Sequence, residues 1–481
     1  MGSQVTDSVL APVLERVDAA RDASLARLVA LLSIPSISTD SEYDTETKRA
    51  ARWLADDLGS IGFDASVRET TGHPMVVAHH PGPKDAGANV PHVLYYGHYD
   101  VQPPDPLELW NSPPFEPQVV SGEHGERIVA RGAVDDKGQL MTFIEAFRAW
   151  KHVHGELPIK VTVLLEGEEE SGSPSLEPFL MEHRDELSAD VCIVCDTGMW
   201  DIETPAITYM LRGMVYLEAT LHGPSHDLHP GMYGGAVMNP LNALTRILGE
   251  LHDAEGRVRV KGFYDDVKEL TAAERGAWER LGLDESAFLG GAGMKQPFGE
   301  KGYSTLERTW ARPTCDINGI IGGYTGRGAK TVIGDHARVK LSCRLVAHQD
   351  PGRIYTALVE FFESRTPPDG TWSFTNHGAA PAIRVPTDSP QLAAAKAGLG
   401  DVYGREAVLI GSGGSIPVVG SIQQILGFDS LLVGFGLDDD RVHSPNEKFE
   451  RRCFDNGVKS HAAIMARLAG GATSPRPDPG A

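Results

Sequence analysis

Cysteine is scarce: Cys192, Cys195, Cys315, Cys343 and Cys453 are the five in 481 residues. An odd, sparse set excludes a disulfide framework and makes the cytoplasm the expected compartment. Positive charge is also short, with 44 Lys+Arg against 66 Asp+Glu for a net charge of −22 and no basic block. A phosphate backbone or an anionic membrane surface repels such a chain, so neither nucleic acid nor membrane is an expected partner. The start, MGSQVTDSVLAPVLERVDAARDAS, lacks the basic-then-apolar pattern of a secretory signal. Long apolar runs are missing too, with one stretch to weigh. Ala407 to Phe428 is uncharged and long enough to span a bilayer. Its Gly411, Gly413, Gly414, Pro417, Gly420 and Gln423–Gln424 read instead as a buried strand, loop and helix. No internal repeat is present.

What is there is a globular composition, 41% hydrophobic and 23% charged, long enough for two or three domains. Leu10, Val13, Leu14 and Val17, then Leu25, Leu28 and Leu32, predict an opening helix or helix pair. Short apolar runs at 92–96, 159–165 and 189–195 predict buried strands, and Leu140, Phe143, Ile144 and Phe147 a helix between them. Strands alternating with helices imply an α/β fold with a mostly parallel central sheet flanked by helices. From about 212 the pattern changes. Met214–Leu221 and Ala337–Leu345 alternate like antiparallel strands, Leu241–Leu251 is helical, and Asp350–Pro351 starts a further helix. The expected organisation is a catalytic domain over 1–211 and 384–469, an inserted α+β domain over 212–383, and a disordered Pro/Gly-rich tail over 470–481.

Acidic residues and histidines gather at predicted strand ends, and in a parallel sheet the carboxyl ends of strands share one edge, where ligands bind. His98 follows the first buried strand, with Asp100 two residues on. Asp135–Asp136 precede the helix from Leu140, Glu168-Glu169-Glu170 follow the strand ending at Leu165, and Asp196 follows the run ending at Cys195. His443 lies in a later polar turn. Taken singly, each has an ordinary reading: a surface turn, a helix cap, a solvated acidic loop. Cys192-x-x-Cys195 lies inside an apolar strand with no second such pair, so it reads as core rather than zinc or redox chemistry. As a set, carboxylates and imidazoles suit zinc, manganese or cobalt, and two such ions can share one bridging carboxylate.

The order of these motifs resembles the di-zinc peptidase family that contains carboxypeptidase G, aminoacylase, succinyl-diaminopimelate desuccinylase and the dipeptidases. It is most similar to the branch of cytosolic non-specific dipeptidase and carnosine dipeptidase. The resemblance spans roughly residues 20–465. It is carried by Gly132-Ala-Val-Asp135-Asp-Lys-Gly, Glu166-Gly-x-Glu-Glu170-Ser-Gly-Ser173, Asp227-Leu-His229-x-Gly-Met-Tyr-Gly-Gly235, Gly262-Phe-Tyr-Asp-Asp-Val267, Gly328-Ala-Lys-Thr-Val-Ile333, Ser342-Cys-Arg344-Leu-Val346, Gly413-Gly-Ser415-Ile-Pro417 and His443-Ser-x-Asn-Glu447.

The resemblance implies a zinc-peptidase-like fold whose inserted domain serves as lid and dimerisation surface. It implies two divalent metal ions per chain, zinc first and manganese or cobalt next, with Asp135 bridging. Glu170 and His443 complete one ion, His98 and Asp196 the other. It makes Glu169 the general base, Asp100 the partner of His98, and the Asp135–Asp136 peptide cis. The register within the glutamate run rests on the resemblance alone. His229 is implied to stabilise the oxyanion from the partner subunit of a homodimer. Pro230 departs from the small polar residue common there. Arg344, Thr331, Gly414, Ser415 and Asn318 are the implied substrate contacts. The expected activity is hydrolysis of dipeptides. N-acyl-amino-acid deacylation and glutamate-type carboxypeptidase activity are the near alternatives, and a non-catalytic binding protein on the same fold is the distant one.

Overall fold

The computed structural model describes residues 2–84, 90–414 and 416–471, which divide into two compact units. The first comprises Met1–Tyr209, Val385–Ile410 and Ser421–Ala481; the second comprises Met210–Arg384 and Gly411–Gly420. Ser415 and residues 472–481, most of the expected tail, lie outside the described residues. Gly470 ends the last helix, Arg451–Gly470.

In the first unit the apolar runs form a sheet ordered Asp64–Arg68, Met75–His80, Lys160–Glu166, His92–His98, Val191–Val194, Ser430–Leu432 and Ala206–Leu211. Its centre is parallel, with His98 level with Glu166 and Tyr96 level with Val194. The flanks are antiparallel. Central strands are buried on both faces, which is why they read as unbroken apolar runs rather than alternation. The opening residues form one helix, Gly2–Leu32, with Pro12 inside it, rather than a pair. It packs on the helices Lys137–His154 and Arg451–Gly470, where the Trp150 indole donates to the Ala462 carbonyl at 3.2 Å. A second, three-stranded sheet joins Gln118–Gly122, Gly125–Val129 and Lys448–Glu450. All five cysteines are buried and free, consistent with the apolar reading of Cys192 and Cys195.

The second unit is built on a four-stranded antiparallel sheet ordered Thr314–Gly322, His336–Leu345, Gly213–His222 and Thr371–Ala380. Side chains alternate in burial along its two central strands, the signature of a sheet covered on one face. The covering helices are Pro240–Leu248 and Pro351–Glu363. Asp350 caps the latter through the Arg353 N–H, with Pro351 at its first position as its sequence requires. The charged segment around 255–310 folds into short helices. Two of them open on reciprocal capping boxes, Thr271 with Glu274 and Ser304 with Glu307. No described helix is long and apolar enough to cross a membrane.

Candidate metal centre

Three neighbouring parallel strands end side by side. His98 is the last residue of its strand, the Glu168–Glu170 run follows the strand ending at Glu166, and Asp196 follows the strand ending at Val194. Gly97, just before His98, cannot carry a side chain. A Cβ there would lie 2.8 Å from Asp136 Oδ2 and 2.9 Å from Leu140 Cβ.

His98 is completely buried, and its Nδ1 lies 3.1 Å from the Asp100 carbonyl oxygen. A carbonyl only accepts, so Nδ1 carries the hydrogen and Nε2 is left to face the site. Nε2 sits 3.1 Å from Asp135 Oδ1 and 4.0 Å from Asp196 Oδ2. Burial disfavours its charge, yet the Asp100 and Asp135 carboxylates hold its pKa well above the ordinary value. Asp100 has a second task. Its two oxygens accept the Glu169 and Glu170 N–H groups at 3.3 and 3.0 Å, fixing the glutamate turn.

Asp135 comes from a different direction, the turn before the helix Lys137–His154, and not from a strand of the main sheet. Its peptide to Asp136 is cis. Gly138 lets that turn close, since a Cβ there would meet the Ala133 carbonyl oxygen at 1.8 Å. The Asp136 side chain accepts the His98 N–H at 3.1 Å.

Asp135 Oδ1 faces His98, and Oδ2 lies 2.9 Å from His443 Nε2, which is itself 3.3 Å from Glu170 Oε2. One carboxylate thus serves two clusters, His98–Asp135–Asp196 and Asp135–Glu170–His443, with the donor atoms of each within 4.8 Å of one another. Burial, then the Asp135 charge, pushes the Asp196 carboxyl well up. Asp135, against its own burial, is held low by His443 and His98. Buried carboxylates facing one another need positive charge between them. Nitrogen and oxygen donors without sulfur, sharing one carboxylate, fit two divalent cations of the zinc, manganese or cobalt kind.

Within the acidic run the structure separates the three glutamates. Glu168 is buried and occupied, its oxygens accepting the N–H groups of His73 at 2.8 Å and Ser175 at 3.0 Å. Glu170 faces His443 and accepts from the Gln102 side chain at 2.7 Å. Glu169 is pushed up to about 7 by burial, with the Glu170, Asp100 and Asp135 charges adding to it. A carboxylate near 7 can take a proton and return it at neutral pH.

One contributor had no role assigned from the sequence. Glu447, in the His443 motif, is fully buried and accepts from Arg131 Nη1 at 2.8 Å. It also accepts the N–H groups of Gly132, Val134 and Asp135 at 3.0, 3.0 and 3.1 Å. It therefore ties the His443 loop to the turn that presents Asp135. The signal was the motif itself, but its partners lie more than 300 residues away in sequence.

The other expected residues belong to the second unit. His229 is exposed and caps the short helix Pro230–Tyr233, its Nδ1 accepting the Gly231 N–H at 3.0 Å. Pro230 fits as the first helical residue. A bridge between Leu228 and Ile333 lays the His229 segment beside the one carrying Thr331. Arg344 lies opposite Met214 and Thr314. Asn318 is exposed at a bulge between Ile317 and Gly319, and the Gly414 N–H is bound by the Ser412 hydroxyl.

Known proteins of similar sequence and fold include metallodipeptidases. The chain is 30% identical to Cys-Gly metallodipeptidase DUG1 of Saccharomyces cerevisiae over 475 residues, 95% of this chain and 97% of that one. The solved structure of that yeast dipeptidase superposes with a TM-score of 0.79, covering 96% of this chain and 99% of the other. Human Beta-Ala-His dipeptidase is 31% identical over 78% of this chain and 75% of its own length. The M20 metallo-carboxypeptidase Sso-CP2 of Sulfolobus solfataricus superposes with a TM-score of 0.78 at 31% identity, covering 93% and 99%. Residues 94–467, which run from the His98 strand to the closing helix, match a single family description, and the chain is a member of peptidase family M20/M25/M40.

Proposed function

We propose that this metallopeptidase hydrolyses dipeptides, with His98, Asp135 and Asp196 holding one divalent cation and Asp135, Glu170 and His443 the other. The observation that carries the reading is the division of Asp135, one oxygen turned to each cluster, beside a glutamate whose pKa is pushed up to about 7. Two such ions, when bound, make water acidic and polarise an amide carbonyl. Glu169 then takes the proton of the attacking water and passes it to the leaving amine. Asp100 keeps Glu169 in place and fixes the tautomer of His98. In this reading His229 supplies an oxyanion donor to the site of the partner subunit in a homodimer. Arg344, Thr331, Gly414, Ser415 and Asn318 receive the substrate, with Arg344 as the carboxylate fork. The relatives named as dipeptidases, matched over most of their length, support the substrate class.

A second reading has one observation in its favour: the Sulfolobus neighbour at 31% identity is named a carboxypeptidase. One assay separates the two. A free dipeptide and its N-acetylated counterpart are offered to zinc- or manganese-loaded protein, with a chelated control. Chelator-sensitive cleavage of the free dipeptide alone supports the dipeptidase; cleavage mainly of the acylated compound favours deacylase or carboxypeptidase action. Glu169→Ala should keep its metal and lose at least a hundredfold in kcat, and retained turnover moves the base elsewhere.

A further inference from the structure

The small sheet of the first unit carries a cavity that the metal centre does not use. Its register sets Gln118, Val129 and Lys448 in one row across the three strands, and Val120, Arg127 and Glu450 in the row two residues on. Side chains alternate along a strand, so both rows share one face. The row between them turns the other way, and its Ile128 and Phe449 are completely buried in the core of the unit. Asn111, Asp439, Arg441 and Asn446 complete the wall around the outward face and enclose about 500 Å³, the size of a small-molecule site. None of the candidate metal ligands lines it.

The wall is braced by its own side chains. Asn446 donates to the Leu109 carbonyl and accepts the Asn111 N–H, both at 2.8 Å. The cations on the cavity are of two kinds. Lys448 is buried and answered, with Asp440 at 2.6 Å and Asp439 and Glu450 at 3.1 Å. No carboxylate among the described residues pairs with Arg127 or Arg441. Glu450 stands opposite Arg127 in register but is turned to Lys448, and Arg127 Nε is shut off from water with no acceptor. The chain as a whole has a net charge of −22, so two guanidiniums without a carboxylate on one cavity are not a sample of a basic surface. Val120, directly opposite Arg127, and Val129 lay an apolar strip beside them.

We propose that this cavity is a second binding site of the first unit, for a small carboxylate whose charge is taken by Arg127 and Arg441 and whose apolar body lies on Val120 and Val129. A guanidinium fork matches the two oxygens of a carboxylate. Inorganic phosphate would answer the same charges but leave the valine strip facing water, which favours the carboxylate. The site stands apart from the dipeptidase reading and does not need it.

The test titrates metal-loaded, full-length protein with isovalerate, a branched carboxylate without an amine, and with inorganic phosphate, and locates each by amide hydrogen exchange. Isovalerate should protect both 118–129 and 439–448, and do so at lower concentration than phosphate. Arg127→Met should weaken that protection at least tenfold with the circular dichroism of the chain unchanged, and Arg127→Lys should fall between it and wild type. Val120→Asp sets a carboxylate opposite Arg127 at a water-facing position, so it should abolish binding even if Arg127→Met does not fold. Protection that spares 118–129 places the carboxylate at the metal centre and overturns the second site, as does binding left intact in Arg127→Met or no protection at saturating isovalerate. Phosphate bound as tightly as isovalerate overturns the assignment to a carboxylate.

Discussion

At the scale of single residues, the site depends on groups that hold other groups. Glu447 satisfies three backbone N–H groups around Asp135 and one guanidinium while wholly buried. Glu447→Gln keeps the shape but replaces one acceptor oxygen by a donor aimed at donors. Partners that orient metal-binding groups typically change affinity by 10–100-fold. Metal affinity measured by chelator competition should fall by about that factor, with the helical content of the chain unchanged. His461 makes a second residue-scale prediction. It is completely buried, 3.4 Å from Cys195 Sγ, with no partner for its Nδ1, and burial lowers its pKa to about 3. The unfolded chain therefore takes the proton first. The stability that neutral His461 preserves is complete above pH 6.5 and declines as pH falls toward 3, at about 1.4 kcal/mol per unit. Urea unfolding at pH 7.5 and 5.0 should show wild type losing about 2 kcal/mol more than His461→Gln over that interval. Equal losses would assign the acid sensitivity elsewhere. Residue identity at the centre was readable in part. His98, Asp135, Asp196 and His443 announced themselves as chemistry-bearing types at strand ends and turns. The choice between Glu168 and Glu169 was not readable locally, because it is made by the N–H groups of His73 and Ser175.

Among elements, the strands around the site were legible because burial on both faces leaves a run of apolar residues and then an abrupt polar stop. His98 and Asp196 sit at such stops. The turn carrying Asp135 was less so. The strand before it belongs to a separate three-stranded sheet, and only a pairing across the whole chain, Lys448–Glu450 against Gly125–Val129, fixes its direction. The 255–310 segment was opaque for a similar reason: its buried apolar residues, among them Val258, Val260, Phe263, Trp278 and Leu306, follow no single period, and a charge staple joins them. Arg312 is 5% exposed and donates to Glu300 through Nε at 2.8 Å and Nη2 at 2.9 Å, and to Glu269 at 3.0 Å. Its guanidinium lies 4.2 Å from the Tyr303 ring centre. Losing Arg312 leaves the buried Glu300 with Arg257 Nη1 alone, at 2.9 Å, to answer its charge, and breaking a buried ion pair costs about 3–5 kcal/mol. Arg312→Met should therefore loosen this segment by roughly 3 kcal/mol, seen as faster amide exchange across 255–312 while the strands of the first unit stay protected. Adding Glu300→Met should restore part of the loss, because the buried carboxylate is gone and the Arg257 it leaves behind is 45% exposed to water.

For the whole molecule, the remaining question is what covers the outer strand of the second unit. Thr314–Gly322 is an edge strand, bonded on one side only, to His336–Leu345. Along it Ile317, Ile320 and Ile321 are 42%, 46% and 48% exposed. An edge with three exposed isoleucines and Asp316 as its one charge is an invitation to pairing, and proteins that remain monomeric usually guard against it. His229 is exposed in the same unit, as the proposed donation to a partner's site requires. If two copies meet on this strand, Ile320→Glu places a charge in the apolar interface and should convert the dimer to monomer in sedimentation. It should cut kcat by at least tenfold and leave the metal content at two ions per chain. The same assembly makes a second outcome obligatory. His229→Ala and Glu169→Ala chains, each inactive alone, should regain activity when mixed and allowed to exchange, because one of the two sites then draws an intact base from one chain and an intact histidine from the other. Recovery should be lost when the Ile320→Glu change is added to both chains. Activity that survives in a verified Ile320→Glu monomer, or no recovery in a verified heterodimer, would sink the shared site while leaving the metal centre of each chain untouched.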